Sequence, residues 1–61
     1  MIEFMYDGKW FGFDVAKMSY FIWQEGKNIL ELVIGGQKFV FRGEDKAPMI
    51  YQKLHKALDK E

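Results

Sequence analysis

Five short runs of β-forming residues, separated by turn signals, constrain the fold of this chain most strongly. Asp7-Gly8 and Gly35-Gly36 are dipeptides that favour tight turns, and Glu25-Gly26-Lys27-Asn28 is a longer turn. Within the runs the apolar residues mostly alternate, which is typical of strands with one face buried. The pattern predicts five strands, at residues 2–6, 10–15, 19–25, 29–34 and 37–42.

The spacing of the apolar residues changes after Gly43 to three and four residues, which predicts an amphipathic helix. Asp45 is the expected N-cap, and Pro48 then falls in the first turn, where its missing N–H costs no hydrogen bond. The apolar stripe consists of Ala47, Ile50, Tyr51, Leu54, Ala57 and Leu58. The sequence therefore predicts a mainly β fold with one C-terminal α-helix, as a five-stranded antiparallel meander or small barrel, in a single domain over residues 1–61.

A chain of 61 residues has little interior with which to stabilise a fold. A domain of this size buries only about 60% of the surface that its unfolded chain exposes. The absence of cysteine removes disulfides and zinc–thiolate clusters. Apolar burial must therefore offset most of the ordering entropy, about 1.5 kcal/mol per residue. That requirement explains part of the 49% hydrophobic content. The apolar residues beyond it carry information about function.

The apolar residues of the strands exceed what one core needs. The expected core residues are Ile2, Phe4, Tyr6, Phe11, Phe13, Val15, Leu30, Leu32, Ile34, Phe39 and Phe41. The opposite face still carries Met5, Trp10, Ile29, Val33 and Val40. The third strand is apolar on both faces, because Tyr20 and Ile22 alternate with Phe21 and Trp23. Whichever pair faces the core, the other pair faces outward.

Three arrangements account for such a second apolar face. The helix covers it, or a second copy of the chain covers it, or another protein binds there. One helix shields only part of a five-stranded sheet, and soluble monomers seldom expose large contiguous apolar patches. Tyrosine and tryptophan are also enriched at interface hot spots. The predicted protein-binding residues are Trp10, Tyr20, Ile22, Ile29, Val33 and Val40, which are expected to merge into one continuous surface.

The sequence offers few residues of the types that catalysis or cofactor binding requires. His55 is the one histidine and Ser19 the one serine, and no motif surrounds either of them. A metal site needs further histidine or cysteine ligands, and no phosphate-binding glycine loop precedes the helix. We therefore expect no enzyme activity, no metal and no cofactor, and we expect His55 to be a partly exposed helix residue.

Net charge and hydropathy limit the classes of partner and the cellular locations that we expect. Nine basic residues balance nine acidic ones. Such a chain is poorly equipped for nucleic acid, because phosphate neutralisation supplies most non-specific affinity. No apolar run approaches the roughly 18 residues of a membrane span, and the amino end lacks a basic start and an apolar signal core. We expect no membrane partner and a cytoplasmic location.

Several turn motifs, in sequence order, resemble those of the 7 kDa chromatin proteins of hyperthermophilic archaea. The matching segments are Phe4-x-Tyr6-x-Gly8, Asp14-Val15-Ala16-Lys17-Met18, Trp23 with Gly26-Lys27, Gly35-Gly36, and Glu44-Asp45-Lys46-Ala47-Pro48. The resemblance implies an SH3-like barrel of two-stranded hairpin, three further strands and a C-terminal helix. It also implies a role for the triple-stranded face, through which that family binds duplex DNA.

The departure from that family concerns charge. Its members are strongly lysine-rich, whereas residues 20–42 here are aromatic and aliphatic with few cations. Proteins on that scaffold have been engineered as protein binders by diversifying the same face, and this composition resembles such a product. A natural small protein with convergent turns, such as a viral inhibitor of a host protein, is the alternative origin.

The sequence therefore predicts a non-enzymatic protein-binding module, either an engineered binder or a small inhibitor. Its expected partner is another protein or a second copy of itself, as a homodimer. The alternatives are a nucleic-acid-binding barrel of the chromatin-protein type and a self-associating structural protein.

Overall fold

A computed structural model describes residues 1–59, which form two antiparallel sheets and a C-terminal helix. The elements are β1 (Ile2–Tyr6), β2 (Lys9–Phe13), a short 3-10 helix (Val15–Lys17), β3 (Met18–Gln24), β4 (Ile29–Ile34), β5 (Gln37–Arg42) and α1 (Lys46–Asp59). The mainly β class, the five antiparallel strands and the terminal helix are confirmed.

The strands pair in sequence order within two separate sheets. β1 and β2 form a hairpin, and β3, β4 and β5 form a three-stranded meander. Asp7 and Gly8 have φ values of 53° and 74°, as a two-residue hairpin turn with positive φ at both positions requires. Within residues 1–59 no strand pairing joins the two sheets, and the predicted meander is present in β3–β5.

Asp14 separates the two sheets, because its side chain and backbone start a turn of 3-10 helix. Its Oδ1 accepts a hydrogen bond from the backbone N–H of Ala16 at 3.1 Å, and its carbonyl oxygen accepts one from Lys17 at 2.9 Å. The predicted second strand, which ran to Val15, therefore ends at Phe13. Val15 is nevertheless buried in the core, as expected.

The core lies between the inner face of the hairpin, the inner face of β3–β5 and the apolar stripe of α1. The buried members of this cluster are Ile2, Phe4, Val15, Leu30, Leu32, Phe41, Ile50 and Leu54. The other residues expected in the core pack against it while partly exposed, namely Tyr6, Phe11, Phe13, Ile34 and Phe39. The predicted core is therefore confirmed, and the sequence alternation identified its residues correctly.

The start of α1 differs in one respect from the prediction. Asp45 immediately precedes the helix, and its carbonyl oxygen accepts from the N–H of Met49 at 3.4 Å. No hydrogen bond of its carboxylate to a backbone N–H occurs within residues 1–59, so the expected side-chain cap is not formed. Pro48 is the third helical residue and lies in the first turn, as predicted.

Aromatic packing and one hydrogen bond connect the hairpin to the three-stranded sheet. The ring of Phe41 lies edge-on to the rings of Phe4, Tyr6 and Phe11, with centroids 4.9 to 5.3 Å away. The hydroxyl oxygen of Tyr6 accepts a hydrogen bond from the backbone N–H of Arg42 at 2.9 Å. β5 pairs with β4 on one side only, and this bond satisfies the Arg42 N–H, which no second strand accepts.

Replacing Tyr6 with Phe should therefore lower the free energy of unfolding by about 1 kcal/mol, the net value of a typical protein hydrogen bond. Tyr20→Phe is the matched control, because the exposed Tyr20 hydroxyl makes no hydrogen bond within residues 1–59. Urea denaturation of both variants measures the difference. Equal stabilities would show that the bond to Arg42 contributes nothing.

Candidate binding face on the three-stranded sheet

The outward side of the β3–β5 sheet is a regular grid that we call the outer face. The register places Tyr20 beside Val33 and Val33 beside Lys38, and the next rows follow at two-residue steps. By this alternation the outer face consists of Tyr20, Ile22, Gln24, Ile29, Glu31, Val33, Lys38, Val40 and Arg42. Five of the six residues predicted to bind a partner share this face.

The helix packs on the opposite side of the sheet and decides which residues of β3 face outward. The ring of Tyr51 stacks on Trp23, with centroids 4.6 Å apart and planes at 7°, and it also approaches Phe21. Phe21 and Trp23 are therefore partly buried against the core. Tyr20 and Ile22 point away from it, with 55% and 44% of their surface exposed.

The remaining apolar members of the outer face are half-buried. Ile29, Val33 and Val40 are of intermediate exposure, because neighbouring side chains on the same face shield one another. No other element of residues 1–59 lies over them, since α1 and the hairpin both pack on the inner face. The outer face thus presents a largely apolar surface to solvent.

Trp10 does not belong to this surface. It lies on β2 and pairs across the hairpin with Met5, and both side chains point away from the core. Trp10 is 71% exposed and Met5 is 42% exposed. Trp10 therefore lies on a different sheet from the other five predicted residues, which share the outer face of β3–β5.

An ion pair crosses the middle of the outer face. Lys38 Nζ lies 3.0 Å from Glu31 Oε1, and the Glu31 side chain is only 17% exposed. Its neighbours in the register are Ile22 and Val40. The sequence analysis did not single out this pair. The sequence does indicate where Glu31 points. It lies between the core residues Leu30 and Leu32, so the alternation requires its side chain to point outward.

The residues considered for catalysis do not form a site. Ser19 is exposed at a β-bulge between Met18 and Tyr20, and no hydrogen bond links it to His55 within residues 1–59. His55 is exposed and lies edge-on to Tyr51, with ring centroids 5.1 Å apart. Across the described residues, no three His, Asp or Glu side chains are grouped to hold a metal ion.

Two grooves indent the surface near the hairpin. One, of about 220 Å³, lies between β2 and β5 and is lined mainly by phenylalanines, including Phe11, Phe13 and Phe39. The other, of about 460 Å³, lies between the amino end and α1 and contains Glu3, Asp14, Lys53 and Lys56 among its lining residues. The charges of the second groove are of both signs. The helix of the described chain is too short to cross a bilayer.

Comparison with known proteins identifies no relative. No family profile matches the sequence, no curated protein is similar to it, and no solved structure matches its fold. The function proposed below therefore rests on the geometry and chemistry of the outer face.

Replacing His55 with Ala should change the free energy of unfolding by less than about 0.5 kcal/mol, as for ordinary surface substitutions. Tyr51→Ala, four residues earlier on the same helix, should cost at least about 2 kcal/mol, because it removes the ring that packs on Trp23. Urea denaturation compares the two variants. A loss of protein binding in a fully folded His55→Ala variant would reveal a ligand role for the imidazole.

Proposed function

We propose that this chain is a non-enzymatic protein-binding module that uses the outer face as its contact surface. The observation that carries the proposal is the exposure of Tyr20 and Ile22 on a face that no element of the described chain covers. Tyr20 is more than half exposed there, and tyrosine is enriched at interface hot spots. Trp10 lies on a separate sheet and is not part of the proposed contact.

The outer face is suited to binding because its residues stand on a rigid support. Leu30 and Leu32 alternate with the outward residues of β4 and are fully buried, so the central strand is fixed from below. Tyr20 offers a large ring with few rotatable bonds, so its side chain loses little conformational entropy on binding. The Glu31–Lys38 pair adds a fixed polar group within the apolar surface, where it can select among partners.

Blocking a partner's surface is the activity that such a module supports best. Among the described residues, no three His, Asp or Glu side chains are grouped to hold a metal ion. A small rigid protein with one apolar face acts by occupying the surface that another ligand of its partner needs. We therefore propose an inhibitor or an engineered binder, in the cytoplasm, whose reducing conditions suit a chain without cysteine.

The SH3-like barrel of the archaeal chromatin proteins is the fold relationship that we propose. The packing of a two-stranded hairpin on a three-stranded meander, with a C-terminal helix, supports it. Duplex DNA is the alternative ligand on that scaffold. Of the two cations on the outer face, Lys38 is paired with Glu31, which leaves Arg42 at a corner of the grid. That charge pattern favours a protein partner over DNA.

We expect no measurable binding to duplex DNA at about 0.15 M salt, because a face with so few free cations releases few counterions. Fluorescence anisotropy with a labelled duplex, repeated at several salt concentrations, measures this. Micromolar binding with a steep salt dependence would favour the chromatin-type alternative.

Replacing Tyr20 or Ile22 with Asp should leave the fold intact and remove partner binding, since truncating or charging a buried hot spot costs about 2 kcal/mol or more. Leu32→Asp should unfold the chain, because it would bury an unpaired charge. Circular dichroism separates these outcomes.

Affinity capture from a lysate then tests the binding role itself. A specific partner should be retained by the wild type and by Lys17→Asp, a charge control in the exposed part of the 3-10 helix. The same protein should be absent from the Ile22→Asp capture. Equal retention by all three would show that the partner does not use the outer face.

A further inference from the structure

β3 is an edge strand whose second side has no partner in the described chain. Its register pairs it with β4 alone. Two of its backbone groups make further hydrogen bonds, both at the ends of the strand. The N–H of Met18 donates to the carbonyl oxygen of Val15, and the carbonyl oxygen of Gln24 accepts from the N–H of Lys27 at 3.2 Å. The N–H and C=O groups on the other side of β3 are therefore available to a further strand.

The sequence of β3 lacks most of the features that protect strand edges. Proteins blunt their edges with charged residues, proline, bulges or very short strands. β3 is seven residues long and contains no charged residue and no proline. Its one irregularity is the bulge between Met18 and Tyr20, which leaves residues 20–24 in regular register.

The other edge of the same sheet, formed by β5, is protected. β5 carries Lys38 and Arg42, and the N–H of Arg42 is already bonded to the Tyr6 hydroxyl. A strand added to β5 would compete with that bond and with the hairpin packed beside it. β3 is therefore the edge at which this sheet can be extended.

Stacking the outer faces of two copies would bury the Glu31–Lys38 pair of each copy against the other, and desolvating charged groups in this way is costly. Backbone hydrogen bonds along an edge provide association without requiring a large apolar area.

We propose that β3 pairs antiparallel with β3 of a second copy of the chain, about a two-fold axis at Ile22. Ile22 is the midpoint of the regular segment 20–24, so it lies opposite the partner's Ile22. Phe21 then lies opposite the partner's Trp23, and Tyr20 opposite the partner's Gln24. Aromatic cross-strand pairs of this kind are stabilising, and an uncharged strand brings no like charges together.

The product is a six-stranded sheet in which both outer faces lie on the same side. On the inner side, the aromatic layer formed by Phe21, Trp23 and Tyr51 continues from one subunit to the next. This dimer does not depend on the proposed binding of another protein, since it uses the edge of β3 and leaves the outer face open.

Sedimentation equilibrium and amide hydrogen exchange on the wild type test the proposal, from about 10 µM to about 1 mM chain. We expect a monomer–dimer equilibrium. Alternate amides of residues 20–24, those that point away from β4, should gain protection in proportion to the dimer fraction. The intervening amides, already paired with β4, should keep the protection that they have in the monomer.

Charge substitutions on the outer face then locate the axis. Ile22→Lys should raise the dimer Kd at least about tenfold, because two lysines would lie side by side across the two-fold axis. Val40→Lys is the matched control, on the same face but on β5 and opposite Glu31, and it should leave the dimer Kd within about twofold of the wild type. Mixing Ile22→Lys with Ile22→Glu should restore association through an opposite-charge pair.

Three results would overturn the edge-paired dimer. They are a monomer up to about 1 mM, association without new protection in β3, and equal weakening by Val40→Lys and Ile22→Lys. The last result would instead show stacking of outer faces. The wild-type exchange experiment needs no substitution, so the proposal remains testable if Ile22→Lys does not fold. The capture of another protein from a lysate is a separate test, because it concerns the outer face and these experiments concern the edge of β3.

Discussion

The structure depends on the packing of two different elements against the same face of the β3–β5 sheet. The hairpin contributes Phe4 to the core and the helix contributes Ile50 and Leu54, and all of them meet Leu30, Leu32 and Phe41 from one side. No further element of residues 1–59 covers the other side. The exposed outer face is thus a direct consequence of how the core is built.

The same small number of elements explains why both surfaces of β3 carry large apolar residues. Phe21 and Trp23 meet the single helix through Tyr51, and the large rings compensate for the thin layer that one helix provides. Tyr20 and Ile22 have no such partner within residues 1–59 and stay exposed. An edge strand that is apolar on both faces and uncharged along its length is costly for a soluble monomer. That cost is what the proposed interactions would relieve.

Local signals in the sequence were sufficient for the elements and for the core. Asp7-Gly8 and Gly35-Gly36 located two turns, and the alternation of Leu30 and Leu32 with Glu31 identified the buried face. The boundaries shifted where side chains competed with the strand. Asp14 bonded to Ala16 and ended β2 before Val15, a choice between extended and turn conformations that the apolar pattern does not reveal.

The composition of the candidate site depended on tertiary contacts, which the sequence determines less directly. Both alternating pairs of β3 are apolar, so the strand alone does not show which pair points outward. The pairing of Phe21 and Trp23 with the buried Leu32 and Leu30, and the contact with Tyr51, established that Tyr20 and Ile22 do. Trp10 satisfied the same pattern as Val33 but lies on the other sheet, because the chain turns at Asp14 between them. Periodicity assigns a residue to a face of its own strand, and only packing assigns that strand to a sheet.

The hydrogen bond between the Lys53 ammonium and the carbonyl oxygen of Glu3, at 3.0 Å, joins the first strand to the last helix. Ile2 and Phe4 on that strand likewise complete their burial against the second half of the chain. The native core therefore cannot form from the hairpin alone, and its folding requires contacts between residues about 50 positions apart in the sequence.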